Sequence, residues 1–371
     1  MSDVTEIALD RATIAAVDSR DLLTDVLALP EHLRDALWKV ESAQLRSQES
    51  PGGLVVAGMG GSAIGGSLAR AVLGDQASRP VLSTRGYGLP AWTTPDTTVL
   101  CASYSGDTEE TLACYEGAGA LGARRVVVTT GGRLGEMARA DGVPVIPVAG
   151  GLHPRSAVAY MTVAALEVAA LCGAGPRMGS EIDVAAEHLE QLVEEWGPEG
   201  AEDGEAKLLA RALHGTISQI AGAGVTAPVA YRWKTQINEN AKVPAFSSEL
   251  PELDHNELVG WMGADALGRF AAVFLDDADT HPRVKARIEM TRDMVAGAAT
   301  GTYVAHSRGQ TTIERLMSLV LLGDLVSLYL AVLGGTDPGP VEVIEKVKDV
   351  LGAGEHARGV PQRPPGAPQL P

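Results

Sequence analysis

Hydroxyl side chains are concentrated in the segment 103–110, which has the sequence SYSGDTEE. Ser103, Ser105 and Thr108 are spaced so that all three can donate hydrogen bonds to one tetrahedral anion, and Gly106 permits a sharp turn between them. The cap of a following helix would account for one hydroxyl residue. Three within six positions are more than a cap needs, so this segment predicts a phosphate site.

A glycine-rich segment at 58–66, GMGGSAIGG, follows an apolar run and precedes a predicted helix. Backbone N–H groups at such a helix N-terminus can cradle a phosphate, and we assign Gly61 and Ser62 to this cradle. A dinucleotide-binding turn is disfavoured because it needs an acidic residue near the end of the next strand, and the residues 81–85 are VLSTR. A tight packing turn without a ligand remains the other alternative.

Two residues have settings that suit proton transfer. Glu239 lies among amide side chains, including Asn238 and Asn240, and a polar setting of this kind is typical of functional sites. A solvated helix glutamate would be the structural alternative. His255 lies in PELDHNE at 251–257, where carboxylates could raise the pKa of its imidazole and fix its tautomer, although a surface loop histidine would also fit.

The elements that must position these residues follow an alternating pattern of strands and helices. In the first half the predicted strands are 54–57, 80–83, 98–103, 125–129 and 143–147. In the second half the predicted elements are strand 216–221, helix 227–240, strand 270–275, helix 283–296, strand 302–305 and helix 313–333. Such alternation predicts α/β domains with mostly parallel sheets flanked by helices.

The chain has room for two domains. We predict a first domain with leading helices at 1–178, a linker helix and acidic linker at 179–206, a second domain with a terminal helix at 207–352, and a disordered Pro/Gly tail at 353–371. No stretch resembles a signal peptide or a transmembrane helix, so we expect a cytoplasmic protein.

Charge and cysteine content narrow the function further. The formal net charge of −17 argues against nucleic acid or an acidic membrane as a partner, and it requires any site for an anionic substrate to be built locally. The three cysteines, Cys101, Cys114 and Cys172, have no CxxC spacing, which favours reduced thiols and suggests neither a metal site nor a disulfide framework.

The motifs resemble a known family. SYSGDTEET after a strand resembles the hallmark of sugar-isomerase (SIS) domains, and with GMGGSAIGG it is similar to bifunctional phosphoglucose/phosphomannose isomerases. Pro154-Arg155-Ser156, NENAK at 238–242 and ELDHNE at 252–257 fit the same subfamily, and the match runs from about residue 30 to 351. Two departures are Asp107, where Asn is commoner, and Asp254, which replaces the usual Asn before the histidine.

The resemblance implies two SIS-type domains and an isomerase without cofactor or metal. It would interconvert glucose 6-phosphate and mannose 6-phosphate with fructose 6-phosphate through a cis-enediolate. By resemblance Glu239 is the base and Arg155 stabilises the enediolate, although a salt bridge would also account for this arginine. His255 opens the sugar ring from the partner subunit of a homodimer with shared active sites. The family also has a catalytic lysine on the terminal helix, which we assign to Lys348, with Lys346 as the alternative.

Two other functions stay open. SIS domains also serve in regulators that bind a sugar phosphate without catalysis, and a specialised isomerase could act on another phosphosugar. A regulator needs the serine segment but has no need of Glu239 and His255, whereas the phosphate segments cannot distinguish one phosphosugar from another.

Overall fold

Two parallel β-sheets organise the chain. In this computed structural model, which describes residues 7–352, the strands of the first sheet are β1 (Leu54–Ala57), β2 (Val81–Thr84), β3 (Thr98–Ala102), β4 (Arg124–Thr129) and β5 (Val145–Pro147), in the order β2-β1-β3-β4-β5. The second sheet contains β6 (Ile217–Gly222), β7 (Ala245–Glu249), β8 (Phe270–Asp276) and β9 (Gly301–His306), in the order β7-β6-β8-β9. The neighbouring strands pair in parallel, and the predicted fold class is confirmed.

Helices connect and cover the strands. They are α1 (Arg11–Ala15), α2 (Leu22–Leu27), α3 (Leu29–Ser42), α4 (Gly60–Leu73), α5 (Glu109–Ala120), α6 (Gly132–Asp141), α7 (Val158–Leu171), α8 (Gly179–Trp196), α9 (Glu205–Leu213), α10 (Ala227–Gln236), α11 (Glu257–Gly260), α12 (Ala264–Leu267), α13 (Pro282–Val295), α14 (Thr312–Leu333) and α15 (Glu342–Gly352). Both sheets belong to one compact unit, residues 1–338, and the chain from Gly339 onward, which includes α15, is a second unit. The domain boundaries at 178 and 206 stay predictions, and the predicted tail 353–371 lies outside the described residues.

Several elements differ from their predicted extents. The helix predicted over 227–240 ends with α10 and continues as a π-helical turn, Ile237–Ala241. The segment 243–251, in which no strand was predicted, contains β7, which pairs with β6 at the edge of the second sheet. Helix α9 begins at Glu205, and its apolar face is buried.

Strand order in the first sheet explains where a ligand can bind. The chain passes from β1 to β2 on one side and then returns to β3 on the other side of β1. A crevice forms where such connections diverge, at the carboxyl ends of the two adjacent strands. The segments that follow β1 and β3 are the glycine-rich and serine-rich segments, so the topology brings both predicted phosphate segments to one crevice.

Helix α14 is the central core helix. It packs against α8, α9 and α10, and its residues from Ile313 to Leu333 are buried. Among the described residues this helix alone is long and apolar enough to cross a membrane, but its apolar window is entirely buried inside the fold. Its Asp324 pairs with Arg232 of α10 through two hydrogen bonds, of 3.0 Å from Nε and 2.6 Å from a terminal nitrogen.

Replacing Asp324 with Ala should lower the free energy of unfolding by about 3–5 kcal/mol, because it leaves the buried Arg232 guanidinium without its counterion. Urea unfolding measures this change. The matched control is Glu199→Ala, which removes the exposed Arg11–Glu199 pair and should cost less than about 1 kcal/mol. Equal losses in the two variants would show that the buried pair does not organise the core.

Candidate active site

The serine segment forms a compact turn between β3 and α5. Ser103 is buried, and its Oγ lies 2.8 Å from Oγ1 of Thr108 and accepts the N–H of Gly106 at 3.0 Å. Ser105 is exposed at the tip, where its Oγ accepts the N–H of Asp107 at 3.2 Å. The structure therefore places all three hydroxyl residues in one turn at the start of α5, although their role in phosphate binding remains a prediction.

Glycine is required at the centre of this turn. Gly106 has φ +78°, and a Cβ atom there would lie 2.0 Å from the carbonyl oxygen of Gly131, in the next loop of the sheet. The neighbouring Asp107 accepts the N–H of Arg133 at 3.0 Å, in the first turn of α6. An Asn side chain could accept the same bond, so this departure from the family motif preserves a contact between the two loops.

The glycine-rich segment packs against both neighbouring segments of the crevice. Ser62 is buried in the first turn of α4, and its Oγ accepts the N–H of Tyr104 at 3.3 Å. A Cβ atom on Gly61 would lie 3.0 Å from the carbonyl oxygen of Pro154. The close approach at Gly61 brings the turn that carries Arg155 beside the helix N-terminus.

Arg155 meets Glu239 across the two halves of the chain. One terminal nitrogen of Arg155 lies 3.8 Å from Oε2 of Glu239, its Nε donates to Oδ1 of Asn240 at 2.8 Å, and its other terminal nitrogen donates to the carbonyl oxygen of Pro338 at 2.7 Å. Burial lowers the pKa of Arg155, and the Glu239 carboxylate opposes that shift. A guanidinium remains charged under such conditions. A buried cation therefore faces a partly exposed carboxylate.

The π-helical turn explains why neighbouring residues point to the same place. Helix α10 passes into this turn at Ile237, and single π turns of this kind are frequent at functional sites. Glu239 and Asn240 are consecutive, yet both contact Arg155. Lys242 ends the turn with φ +57°, and its Nζ donates to the carbonyl oxygens of Glu239 and Pro338. Burial is the main cause that lowers the pKa of Lys242, with Arg155 adding to it.

Supporting residues were not found from the sequence. Arg232 donates to the carbonyl oxygen of Arg155 at 3.1 Å, and Asn240 donates to Oγ of Ser327 at 2.9 Å. Ser327 lies on α14 one turn beyond Asp324, the ion-pair partner of Arg232. A sequence signal was available, because Asp324 interrupts an otherwise apolar stretch of this helix and an isolated charge in a core helix usually has a buried partner.

In the described part of the chain, His255 forms no hydrogen bond or ion pair with Glu239 or Arg155. It is exposed in a 3-10 turn, Glu252–His255, after β7, and none of the residues in the described part of the chain forms a hydrogen bond with its imidazole. The carboxylate of Asp254 was expected to act on the imidazole of His255. It instead accepts hydrogen bonds from Arg287 and Thr291 of α13, at 2.8 and 2.7 Å. Asp254 therefore anchors the turn to α13.

The candidate lysines lie on α15, in the second unit of the chain. The side chain of Lys348 is beyond the described part of the structure, so its catalytic role stays a prediction. Lys346, the alternative, is exposed on the same helix.

A metal site was not expected from the sequence. Among residues 7–352 no group of three His, Cys, Asp or Glu side chains is arranged to hold a metal ion.

A separate cleft of about 660 Å³ opens between α4 and α10. Its lining includes Ser67 and Arg85 from the first half and Tyr231 from the second. None of the predicted site residues described by the structure lines it, so the candidate active site is defined by side-chain chemistry and not by this cleft.

Comparisons with known proteins agree with the motifs. Residues 202–351 match the model of the bacterial phospho-glucose isomerase C-terminal SIS domain. The chain is 38% identical over 335 residues to a bifunctional phosphoglucose/phosphomannose isomerase from Caldicellulosiruptor bescii, covering 89% of this chain and 98% of that protein. It is also 34% identical over 164 residues to a D-glucosamine-6-phosphate 4-epimerase from Sulfolobus acidocaldarius, covering 44% of this chain and 50% of that one.

Solved structures share the fold at low sequence identity. A hypothetical protein from Thermus thermophilus superposes with a TM-score of 0.72 at 16% identity, covering 95% of this chain and 94% of that chain. A tagatose-6-phosphate ketose/aldose isomerase from Escherichia coli superposes with a TM-score of 0.58 at 16% identity, covering 92% and 96% of the two chains. These likenesses show the fold alone.

Gly106→Ala should abolish the thermal stabilisation of the protein by inorganic phosphate, because the added methyl group would collide with the Gly131 carbonyl and open the serine turn. Thermal denaturation at increasing phosphate concentration measures the effect. Gly122→Ala is the matched control, since Gly122 has φ +71° but open space around a Cβ atom. This control should lose about 1 kcal/mol of stability and keep the response to phosphate. A normal phosphate response in Gly106→Ala would contradict the assignment of the turn.

Proposed function

The chain belongs to the family of bifunctional phosphoglucose/phosphomannose isomerases, and on this premise we propose that it interconverts glucose 6-phosphate and mannose 6-phosphate with fructose 6-phosphate. It is an aldose–ketose isomerase in this proposal. The observation that carries it is the pairing of Glu239 with the buried Arg155, at 3.8 Å, beside a turn of clustered hydroxyl groups. A regulator that only binds sugar phosphate needs no such pair.

The phosphate group of the substrate binds between the two segments at the crevice. Hydroxyl donors come from Ser103, Ser105 and Thr108. Hydrogen-bond donors of Gly61 and Ser62 add to them at the N-terminus of α4, where the helix dipole favours an anion. This arrangement answers the difficulty posed by the net charge of −17, because the anion is held by local dipoles and hydroxyl groups. Holding the phosphate fixes the distance from it to the reacting carbons.

Glu239 carries the proton between the two carbons. In the open-chain aldose its carboxylate accepts the proton from C2, the C–H electrons form the C1–C2 double bond, and the carbonyl oxygen O1 becomes an alkoxide. The resulting cis-enediolate receives the proton back at C1, while the proton on O2 passes to O1, which gives the ketose. The reverse sequence converts ketose to aldose, with a proton returned to C2.

Arg155 stabilises the negative charge on the enediolate. Its guanidinium is held by Asn240 and Pro338 and is almost completely buried, so its charge is poorly screened by water. A cation fixed in advance where charge develops lowers the activation barrier without reorganisation during the reaction. The single contact to Glu239 is long enough to be exchanged for contacts to substrate oxygens. Lys348 of the terminal helix is retained as a catalytic group on the strength of the family resemblance alone.

His255 opens the pyranose ring from the partner subunit of a homodimer. Its exposed position after β7 suits a group that serves another chain. Large apolar side chains follow it closely in the sequence and are unusually exposed, with 68% for Val259, 85% for Met262 and 82% for Leu267. Clustered apolar surface of this kind supports a protein interface. Further partners such as nucleic acid or membrane are not proposed.

A cytoplasmic location completes the proposal. Cys101, Cys114 and Cys172 are buried free thiols, and burial raises the pKa of each. Unreactive reduced cysteines agree with a reducing compartment.

Glu239→Gln should lower kcat by at least about 100-fold for all three hexose 6-phosphates, because the amide keeps the shape of the carboxylate but cannot accept the C2 proton. A coupled assay measures the rates, which should be the same with and without EDTA because the proposed reaction uses no metal. In the variant, exchange of the C2 hydrogen with deuterated solvent should also stop. The matched control is Glu187→Gln, an exposed glutamate of α8, which should be fully active. A wild-type protein inactive on all three substrates would reject the proposed function, and a near-normal Glu239→Gln would reject the base.

Mixing Glu239→Gln with His255→Ala tests the shared site. Each homodimer should be nearly inactive, whereas hybrids formed after partial unfolding contain one site with both wild-type groups. Random pairing makes half of the dimers hybrids, so about a quarter of the wild-type activity should return. If hybrids verified by mass spectrometry stay as inactive as their parents, His255 does not act on the partner's site.

A further inference from the structure

Tyr104 lies between two of the clustered hydroxyl residues and connects three parts of the candidate site. Its backbone N–H donates to Oγ of Ser62 at 3.3 Å, and its backbone carbonyl accepts the N–H of Thr130 at 3.1 Å and the Oγ1 hydroxyl of Thr130 at 2.7 Å. Its phenol oxygen accepts the N–H of Leu152 at 2.8 Å. The backbone of Tyr104 therefore belongs to the serine turn, while its side chain reaches the segment that leads to Arg155.

The segment before Arg155 is fixed at two consecutive amides. The N–H of Leu152 is bound by Tyr104, and the N–H of His153 donates to Oδ2 of Asp25, on α2, at 2.9 Å. The carbonyl oxygen of His153 then accepts the N–H of Ser156 at 2.8 Å, which closes the 3-10 turn around Arg155. The backbone position of this arginine thus depends on bonds made three and two residues earlier.

The second half of the chain binds the side chain and the backbone of Arg155 directly. Its guanidinium is bound by Asn240 and Pro338, and its carbonyl oxygen by Arg232. The first half holds the same residue through the bonds of Tyr104 and Asp25 to the segment 152–155 and through the close packing of Gly61 against Pro154. The phenol is half-buried and its pKa is raised, chiefly by burial, so it is neutral at physiological pH and its oxygen serves as an acceptor.

We propose that Tyr104 is a positioning residue that sets the placement of Arg155 relative to the bound phosphate, an inference that rests on the proposed isomerase function. The phosphate fixes one end of the substrate and Arg155 must meet the oxygens at the other end. A small displacement of such a group reduces the rate of the chemical step more than it reduces binding. Tyr104 therefore acts through Arg155 and has no contact with the reacting atoms.

Tyr104→Phe removes the acceptor for the Leu152 amide and keeps the ring. We expect kcat to fall by about three- to tenfold, the equivalent of one net hydrogen bond, with the KM for fructose 6-phosphate changed by less than about twofold. Tyr115→Phe is the matched control, since it removes a 2.9 Å bond to Asp141 away from the crevice, and it should leave both constants unchanged.

Amide hydrogen exchange provides a measurement that does not depend on catalysis. Tyr104→Phe should raise exchange across residues 150–157 and leave the rest of the chain as in the wild type, whereas Tyr115→Phe should not affect this segment. Asp25→Ala, which releases the adjacent His153 amide, should give the same exchange pattern and a similar loss of kcat.

The outcomes separate this proposal from the function on which it rests. If the wild type is inactive on all three hexose 6-phosphates, the proposed isomerase function fails, while exchange at 150–157 still decides whether Tyr104 holds the segment. An unchanged kcat with unchanged exchange would overturn the positioning role. A rise in KM alone would also overturn it, because Tyr104 would then support phosphate binding and not Arg155.

Discussion

The buried ion pair between Arg232 and Asp324 is the constraint on which the site depends. Both side chains lie in the apolar core, where burial raises the pKa of Asp324 and Arg232 opposes that shift. Isolated charges would be very costly there, so the pair must form with good geometry, and it does so through two hydrogen bonds. A remaining N–H group of Arg232 binds the carbonyl oxygen of Arg155. The position of Arg155 is therefore tied to the folding of the core.

A second polar residue of helix α14 also helps to hold Arg155 in place. Ser327, one turn after Asp324, binds the amide of Asn240, which in turn accepts the Nε hydrogen of Arg155. Both supports reach Arg155 from the buried middle of this helix. Such buried polar contacts add little net stability compared with apolar packing, but they permit few alternative arrangements. Their value here is the fixed orientation of a cation beside Glu239.

Local sequence was sufficient for the serine turn and insufficient for the contacts between the halves. Ser103 and Thr108 bond within six positions, so their spacing alone predicted the turn. The meeting of Arg155 with Glu239 needs the tertiary fold, and only the family resemblance suggested it. Strand β7 was missed because its sequence, with the exposed Phe246, lacks the continuous apolar pattern of a central strand. The carboxylate of Asp254 was expected beside His255, but it bonds to α13 instead.

The two halves have similar sheets and different chemistry at the corresponding crevice. In the second sheet β6 and β8 are adjacent and their connections diverge, as β1 and β3 do in the first. After β8, however, the chain places the buried carboxylate of Asp277, which pairs with Arg315 and accepts a hydrogen bond from Ser307. An ionised carboxylate has no hydrogen to donate to a phosphate, whereas the residue that follows β3 in the first half, Ser103, has a hydroxyl group. The second half supplies Glu239 and the residues that hold Arg155, whereas the turn of clustered hydroxyl groups lies in the first half.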